Sequence, residues 1–272
     1  MKLPRQGKDY TGIVYDNSLR NQVVDYLKPS RCYTNVLSEK HITDLVNFMF
    51  RKTESWRTSP TGNLFFAGNF ISLVEDYVYP MLKDVIDQED IDWNIVDNVG
   101  GNFFHTPHQY GIHTDMPEIE NSYSKHVVPY RSILIPLYVL APVDHVSHMI
   151  YYKQRVVDSG CTLDHGPHTS TTHYRSFKDY SNIENVYTLD GPTTINMEEK
   201  MSIEEFTKSG LDKAPSPIER YNGLSVENSF EWRPGDIHTF DTCQVHSSTK
   251  GIPKFKTKAG LRIMLLTNRN TK

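Results

Sequence analysis

Trp232-Arg233-Pro234-Gly235-Asp236-Ile237-His238-Thr239-Phe240 is a turn feeding a strand. Pro234 and Gly235 punctuate the chain, and the residues at 237–240 follow as a β run. Downstream, Gly260-Leu261-Arg262-Ile263-Met264-Leu265-Leu266-Thr267 reads as a strong last strand. Period 2 sets Gly260, Arg262, Met264 and Leu266 on one face and Leu261, Ile263 and Leu265 on the other. Upstream, Gly100-Gly101-Asn102-Phe103-Phe104-His105 and Tyr110-Gly111-Ile112-His113 flank a turn at Pro107. Ser132-Ile133-Leu134-Ile135-Pro136-Leu137-Tyr138-Val139-Leu140 is apolar enough for a buried strand, and 149–157 is a further strand. Many short strands separated by Gly/Pro turns predict a sandwich or jelly roll.

Helical spacing is concentrated before residue 90. Ser38 caps a run with apolar residues at 42, 45, 46 and 49. A second helix is expected over 69–86, with Pro80 as a kink or break. Residues 158–229 are polar, rich in Ser, Thr, His, Asn and Pro, and hold one helix near 203–206. They read as a long insertion or lid between barrel strands, and loops of that length are commonly functional or mobile. The expected organisation is one domain over 1–272. Residues 1–93 form a helical N-terminal part, 94–157 and 230–268 the barrel core, and 158–229 the insertion.

The chain has 272 residues, of which 38% are hydrophobic, and a net charge of -4. That supports one sizeable core and disfavours a nucleic-acid partner, which selects for a basic excess. A short basic stretch at Lys250, Lys254, Lys256 and Lys258 reads as a solvated loop. Cys32, Cys161 and Cys243 are far apart and form no CxxC pair, as suits a reducing compartment. No apolar leader and no long apolar window is seen, so a cytoplasmic chain without membrane contact is expected (host cytoplasm for a viral protein).

His113-Thr114-Asp115 carries two ligand-type side chains at i and i+2, which project to the same side of a strand. One such triplet means little alone. His246 lies six residues past Phe240, where a strand, a turn and a second strand would carry it across the barrel from His113. Two imidazoles and one carboxylate are the set that holds non-haem Fe(II) on one face, leaving the other open. Arg262 stands in an apolar strand, where an unpaired charge is very costly. It calls either for an Asp or Glu partner or for a ligand carboxylate gripped through two nitrogens. Lys258 has the same parity and competes for that role.

At this point the chain resembles the Fe(II)- and 2-oxoglutarate-dependent oxygenase superfamily. The resemblance covers about 94–156 and 224–268. It is carried by Gly101-Asn102-Phe103-Phe104, His113-Thr114-Asp115, the apolar run at 132–140, the Trp232–Phe240 stretch, His246, and Lys258-Ala259-Gly260-Leu261-Arg262. The W-x-P-G-D approach to a histidine and the K-x-G-L strand look like uncharacterised members from bacteriophages and marine microbes. The resemblance implies a mainly β chain with N-terminal helices, built on a double-stranded β-helix (a jelly-roll, cupin-like barrel). It implies His113, Asp115 and His246 as iron ligands, Arg262 or Lys258 on the far carboxylate of 2-oxoglutarate, and Asn102 as a cosubstrate-binding amide. The family often carries an aromatic hydroxyl two residues after that amide, and Phe104 stands there instead. The implied reaction consumes 2-oxoglutarate and O2, gives succinate and CO2, and hydroxylates an unactivated C–H of a small-molecule or peptidyl substrate. A carboxylate at Asp115 disfavours halogenation.

The remaining histidines at 145, 148, 165, 168 and 173 read as surface loop residues, and His105 and His108 as loop or pocket-lining residues. Arg131 reads as a surface residue at a strand end, Tyr138 and Trp232 as core, and Cys243 as a small buried hydrophobe. Two other functions compete: a cupin-type metal enzyme without 2-oxoglutarate, and a non-enzymatic jelly-roll binding or viral structural protein.

Overall fold

The computed structural model describes residues 26–51, 56–58, 64–66, 78–89, 91, 98–106, 111–115, 128–140, 146–157, 161–162, 175–176, 185–213, 217–249 and 257–267. In chain order the elements are β1 (Arg31–Tyr33), α1 (Glu39–Arg51), β2 (Trp56–Thr58), β3 (Leu64–Phe66), α2 (Tyr79–Gln88), β4 (Asn98–Thr106), β5 (Val128–Leu140) and β6 (His148–Val156). There follow β7 (Cys161–Thr162), β8 (Arg175–Ser176), β9 (Val186–Thr188), β10 (Gly191–Thr193), α3 (Ile203–Lys208), β11 (Val226–Glu231), β12 (Ile237–Asp241), β13 (Gln244–Ser248) and β14 (Thr257–Thr267).

Two antiparallel sheets hold the core. The larger runs β1-β12-β5-β14-β4-β3-β2, and the smaller runs β10-β9-β6-β11, with β13 also paired to β6. The segment at 111–115 joins the smaller sheet through a bridge between His113 and His246. From β4 onward the chain passes between the sheets: larger, smaller, larger (β5), smaller (β6, β11), larger (β12), smaller (β13), larger (β14). That alternation is the double-stranded β-helix, a jelly roll.

Strand alternation divides the apolar residues into layers. Met149 and Tyr151 point between the sheets, where they pack with Phe104, Leu134, Trp232 and Phe240. Their neighbours Ile150 and Tyr152 point out of the smaller sheet and are covered by Met201, Leu211 and Tyr221. On the outer face of the larger sheet, Phe103, Ile133, Ile135, Leu261, Ile263 and Leu265 meet Leu45 and Met49 of α1 and Leu82 and Val85 of α2. The helices thus cover one sheet face and stay away from the interior.

Local chemistry accounts for the ends of these elements. The His41 amide donates to Ser38 Oγ at 3.3 Å, the cap expected for α1. Pro80 lies in the first turn of α2, where its missing N–H costs nothing, so it starts this helix and does not kink it. Residues 69–77 of the expected helix lie outside the described residues. Gly235 has φ +97, and a Cβ there would sit 3.0 Å from the Leu37 carbonyl oxygen, so the turn before β12 requires glycine.

The N-terminal part adds more than helices, because β1 extends the larger sheet beyond β12 while β3 and β2 extend it beyond β4. Residues 185–213 contribute the β9–β10 hairpin and α3. β11, which straddles the expected boundary at 230, belongs to the smaller sheet. No helix among the described residues is long and apolar enough to cross a membrane.

Candidate metal centre

His113 and His246 are opposed residues of two antiparallel segments. Each backbone amide donates to the other's carbonyl, at 2.9 and 2.8 Å, and the two rings lie 4.3 Å apart. The β13–β6 register shifts between Gln244 and His246, a bulge of the kind that re-aims a side chain. The Asp115 amide donates to the Thr242 carbonyl at 3.0 Å, which ties the carboxylate-bearing residue to the β12–β13 turn. Ligand atoms from His113, Asp115 and His246 therefore come within 4.8 Å of one another. The sequence expected these three to converge from positions about 130 residues apart, and the barrel brings them together.

The imidazole tautomers follow from their partners. Nδ1 of His113 lies 2.7 Å from the Gly111 carbonyl oxygen, and Nδ1 of His246 lies 2.8 Å from that of Gln244. A carbonyl only accepts, so Nδ1 carries the proton on both rings and Nε2 keeps its lone pair. Both Nε2 atoms face the Asp115 carboxylate at 3.9 Å. Burial and the neighbouring His246 push the His113 imidazole down to about 3. Burial likewise lowers His246. For Asp115, burial pushes the carboxyl up, but the Arg262 guanidinium beside it leaves the group below its ordinary value. The result is two neutral imidazoles and an ionised carboxylate, the protonation states a divalent cation requires of its ligands.

Arg262 and Asn102 are cross-strand partners on β14 and β4. Arg262 Nη1 donates to Asp115 Oδ1 at 2.5 Å, and Nη2 donates to Asn102 Oδ1 at 3.1 Å. The partner expected for this arginine is therefore present within the chain, and it is one of the three clustered residues. Lys258 sits four residues earlier on the same face. It is buried, not part of a solvated loop, and its ammonium lies 4.6 Å from the centre of the Trp232 ring. Desolvation pushes that amine down to about 7. Lys250, Lys254 and Lys256 lie outside the described residues.

Other expectations divide. His105 does not line the interior: it pairs in register with Ala259 of the outer core, and its ring meets Tyr138. Tyr138 also stacks on Phe50 of α1. Trp232 and Cys243 are buried. His108, His145, His165, His168 and His173 lie outside the described residues.

Arg131 is not a surface residue. It is 2% exposed and bonded to Glu89, Asp241, Thr239 and two carbonyls of residues 28–29. Arg155 joins the same cluster through Asp241 and Glu227. This network was not anticipated, although an arginine against the apolar run and an aspartate after Phe240 were its visible traces.

The sequence matches no protein-family model and no curated protein. Among solved structures it is similar to a prolyl-4-hydroxylase of Pseudomonas putida, at 11% identity over 92% of this chain and 99% of that one, TM-score 0.46. It is also similar to EvdO2 of Micromonospora carbonacea var. aurantiaca complexed with 2-oxoglutarate, at 13% identity over 94% and 93%, TM-score 0.44. A third is the viral collagen prolyl hydroxylase of Paramecium Bursaria Chlorella virus-1 in its 2OG complex, at 7% identity over 88% and 97%, TM-score 0.42. By its own topology the chain is a double-stranded β-helix protein, and its interior holds a cluster of two histidines and one carboxylate.

Proposed function

We propose that this chain is a non-haem Fe(II)- and 2-oxoglutarate-dependent dioxygenase. Its reaction is hydroxylation of an unactivated C–H in a small molecule or a peptidyl side chain, with succinate and CO2 as coproducts. One observation carries the reading: His113, Asp115 and His246 converge with both Nδ1 atoms tied to carbonyls and both Nε2 atoms turned to the carboxylate. A two-histidine, one-carboxylate set with open positions is the preference of Fe(II) oxygenases. When bound, the iron with its cosubstrate and O2 supplies the oxidising chemistry.

The chain's own residues bind and orient. Two cations lie along one face of β14, and their surroundings separate their roles. Arg262 already touches Asp115, so it stands beside the metal end of a chelating diacid. Lys258 lies further along the strand, buried against Trp232, and takes the far carboxylate. Burial disfavours the ammonium, and an anion beside it favours it. Tyr151 and Phe240, whose rings lie 6.1 and 5.0 Å from that of His246, keep water from that side of the centre.

The test is anaerobic titration of the purified chain with Fe(II) and 2-oxoglutarate. A visible metal-to-ligand charge-transfer band, absent in His113→Ala, is the expected result. Iron uptake with no band on adding 2-oxoglutarate would leave a cupin-type centre, and no iron uptake would end the metal reading.

A further inference from the structure

We infer that Arg262 is a positioning residue for Asp115, a clamp that holds the carboxylate to a single ligand oxygen. This rests on the metal-centre reading above and concerns how that centre is kept open. The two oxygens of Asp115 are in different situations. Each faces an imidazole Nε2 at 3.9 Å, Oδ1 that of His113 and Oδ2 that of His246, but Oδ1 also accepts the Nη1 hydrogen bond of Arg262 at 2.5 Å. A guanidinium spends one side of a carboxylate, so the oxygen it does not hold is the better metal ligand.

The clamp is braced from behind. Asn102 Oδ1 accepts from Nη2 of the same guanidinium at 3.1 Å, and the Asn102 amide donates to the Phe103 carbonyl at 3.3 Å, which fixes which end of the amide faces Arg262. Arg262 and Asn102 are also register partners, so backbone pairing sets their separation. The guanidinium is thus fixed on two sides, by the strand next to it and by Asp115. On this proposal Asn102, expected from the resemblance to bind a cosubstrate, orients the arginine.

The consequence is one of coordination number. Two imidazoles and one carboxylate oxygen fill three positions of an octahedron, leaving three for a two-toothed diacid and O2. A carboxylate free to close with both oxygens would take a fourth. The clamp also places a positive charge beside the cation site, so it lowers metal affinity while it protects the open face.

Arg262→Gln is tested for Co(II) binding by visible absorption, without cosubstrate, beside the wild-type chain. A unit charge about 5–10 Å from a divalent ion in high dielectric changes an affinity by about four- to fifteenfold. Arg262→Gln is expected to bind Co(II) tighter by that factor, and Asn102→Ala to shift the same way by less. In the redox-inert Mn(II)-loaded protein, Arg262→Gln binds 2-oxoglutarate more weakly, because Asp115 now occupies a position the diacid needs. A residue that only grips the cosubstrate would leave Co(II) affinity unchanged, and one that only supports the fold would weaken it. Either outcome, in variants whose melting curves show them folded, overturns the clamp. Wild-type chain that takes up no Co(II) overturns the metal centre itself, and the clamp falls with it.

Discussion

Lys258 and Trp232 meet inside the barrel, the ammonium 4.6 Å from the centre of the indole ring. Such a pair tempers the cost of burying a cation. Replacing the lysine with an apolar side chain of similar reach separates its two effects. Lys258→Met is expected to stabilise the fold, because burial disfavours the charged amine. The same substitution removes a charge-assisted contact worth about 1.5–3 kcal/mol, so 2-oxoglutarate affinity falls roughly ten- to a hundredfold. Thermal melting and titration of the Mn(II)-loaded protein read the two independently. A variant that loses stability and keeps its affinity would move the anchor to Arg262.

The same lysine gives a pH dependence of defined sign. Desolvation holds it at about 7, far below its ordinary 10.5, and its neighbour His238 is pushed down to about 3 by burial. Binding a carboxylate needs the ammonium, so 2-oxoglutarate affinity is expected to weaken as pH rises from 6.5 to 8.5, and Lys258→Arg to abolish that slope. For stability, the unfolded chain binds the extra proton between about 7 and 10.5. The fold therefore gains stability with rising pH across that window. Lys258→Met flattens this rise, and equilibrium unfolding at pH 7 and 9 measures it.

The barrel was legible because strand alternation leaves a period-2 record: the faces assigned to Leu261, Ile263, Leu265 and Arg262 are the faces they occupy. The ligand triplet was legible because i and i+2 share a side on any strand. Arg131 and Lys258 were misread for one shared reason. Sequence shows a charge at a strand end or in a basic run, and solvent is its default setting. The partners that bury Arg131 come from Glu89 and Asp241, 42 and 110 residues away, which no local pattern reports. The β1–β3 additions were missed because three-residue strands are too short to show a period.

Asp241 ties that buried network to the centre. It accepts from Arg131 and Arg155, and from the Lys28 amide, and it precedes Thr242, whose carbonyl holds the Asp115 amide. Asp241→Asn leaves two buried guanidinium groups short of charge, which costs about 3–5 kcal/mol. Loss of metal affinity should accompany the loss of stability. Burial holds Asp241 itself above its ordinary value, an opposing contribution, and the loss of stability in acid follows from Glu89 and Glu227. Burial alone would raise both, but Arg131 and Tyr33 hold Glu89 below its ordinary 4.5, and Arg155 and Ser30 do the same for Glu227. Their contribution is complete above about pH 4.5 and is lost as pH falls through the depressed values. Acid unfolding should therefore shift to higher pH in Glu89→Gln, and an unshifted midpoint would place the network outside the cooperative core.

Gly260 marks where backbone, indole and lysine crowd together. A Cβ there would lie 2.7 Å from the Phe104 ring and 3.0 Å from two carbons of Trp232, closer than rigid rings tolerate. Gly260→Ala must therefore push Trp232 or Phe104 aside, at a cost of about 1–3 kcal/mol. For a chain of this size that lowers the melting temperature by roughly 2–10 °C. Trp232 lies beneath Lys258 and Phe104 packs edge-on against Trp232, so either shift should disturb the far-carboxylate site while the three metal-facing side chains, on other strands, are not. The expected pattern is weaker 2-oxoglutarate binding with Co(II) affinity unchanged. Equal losses of both would mean that the interior responds as one unit and that Lys258 has no separate site.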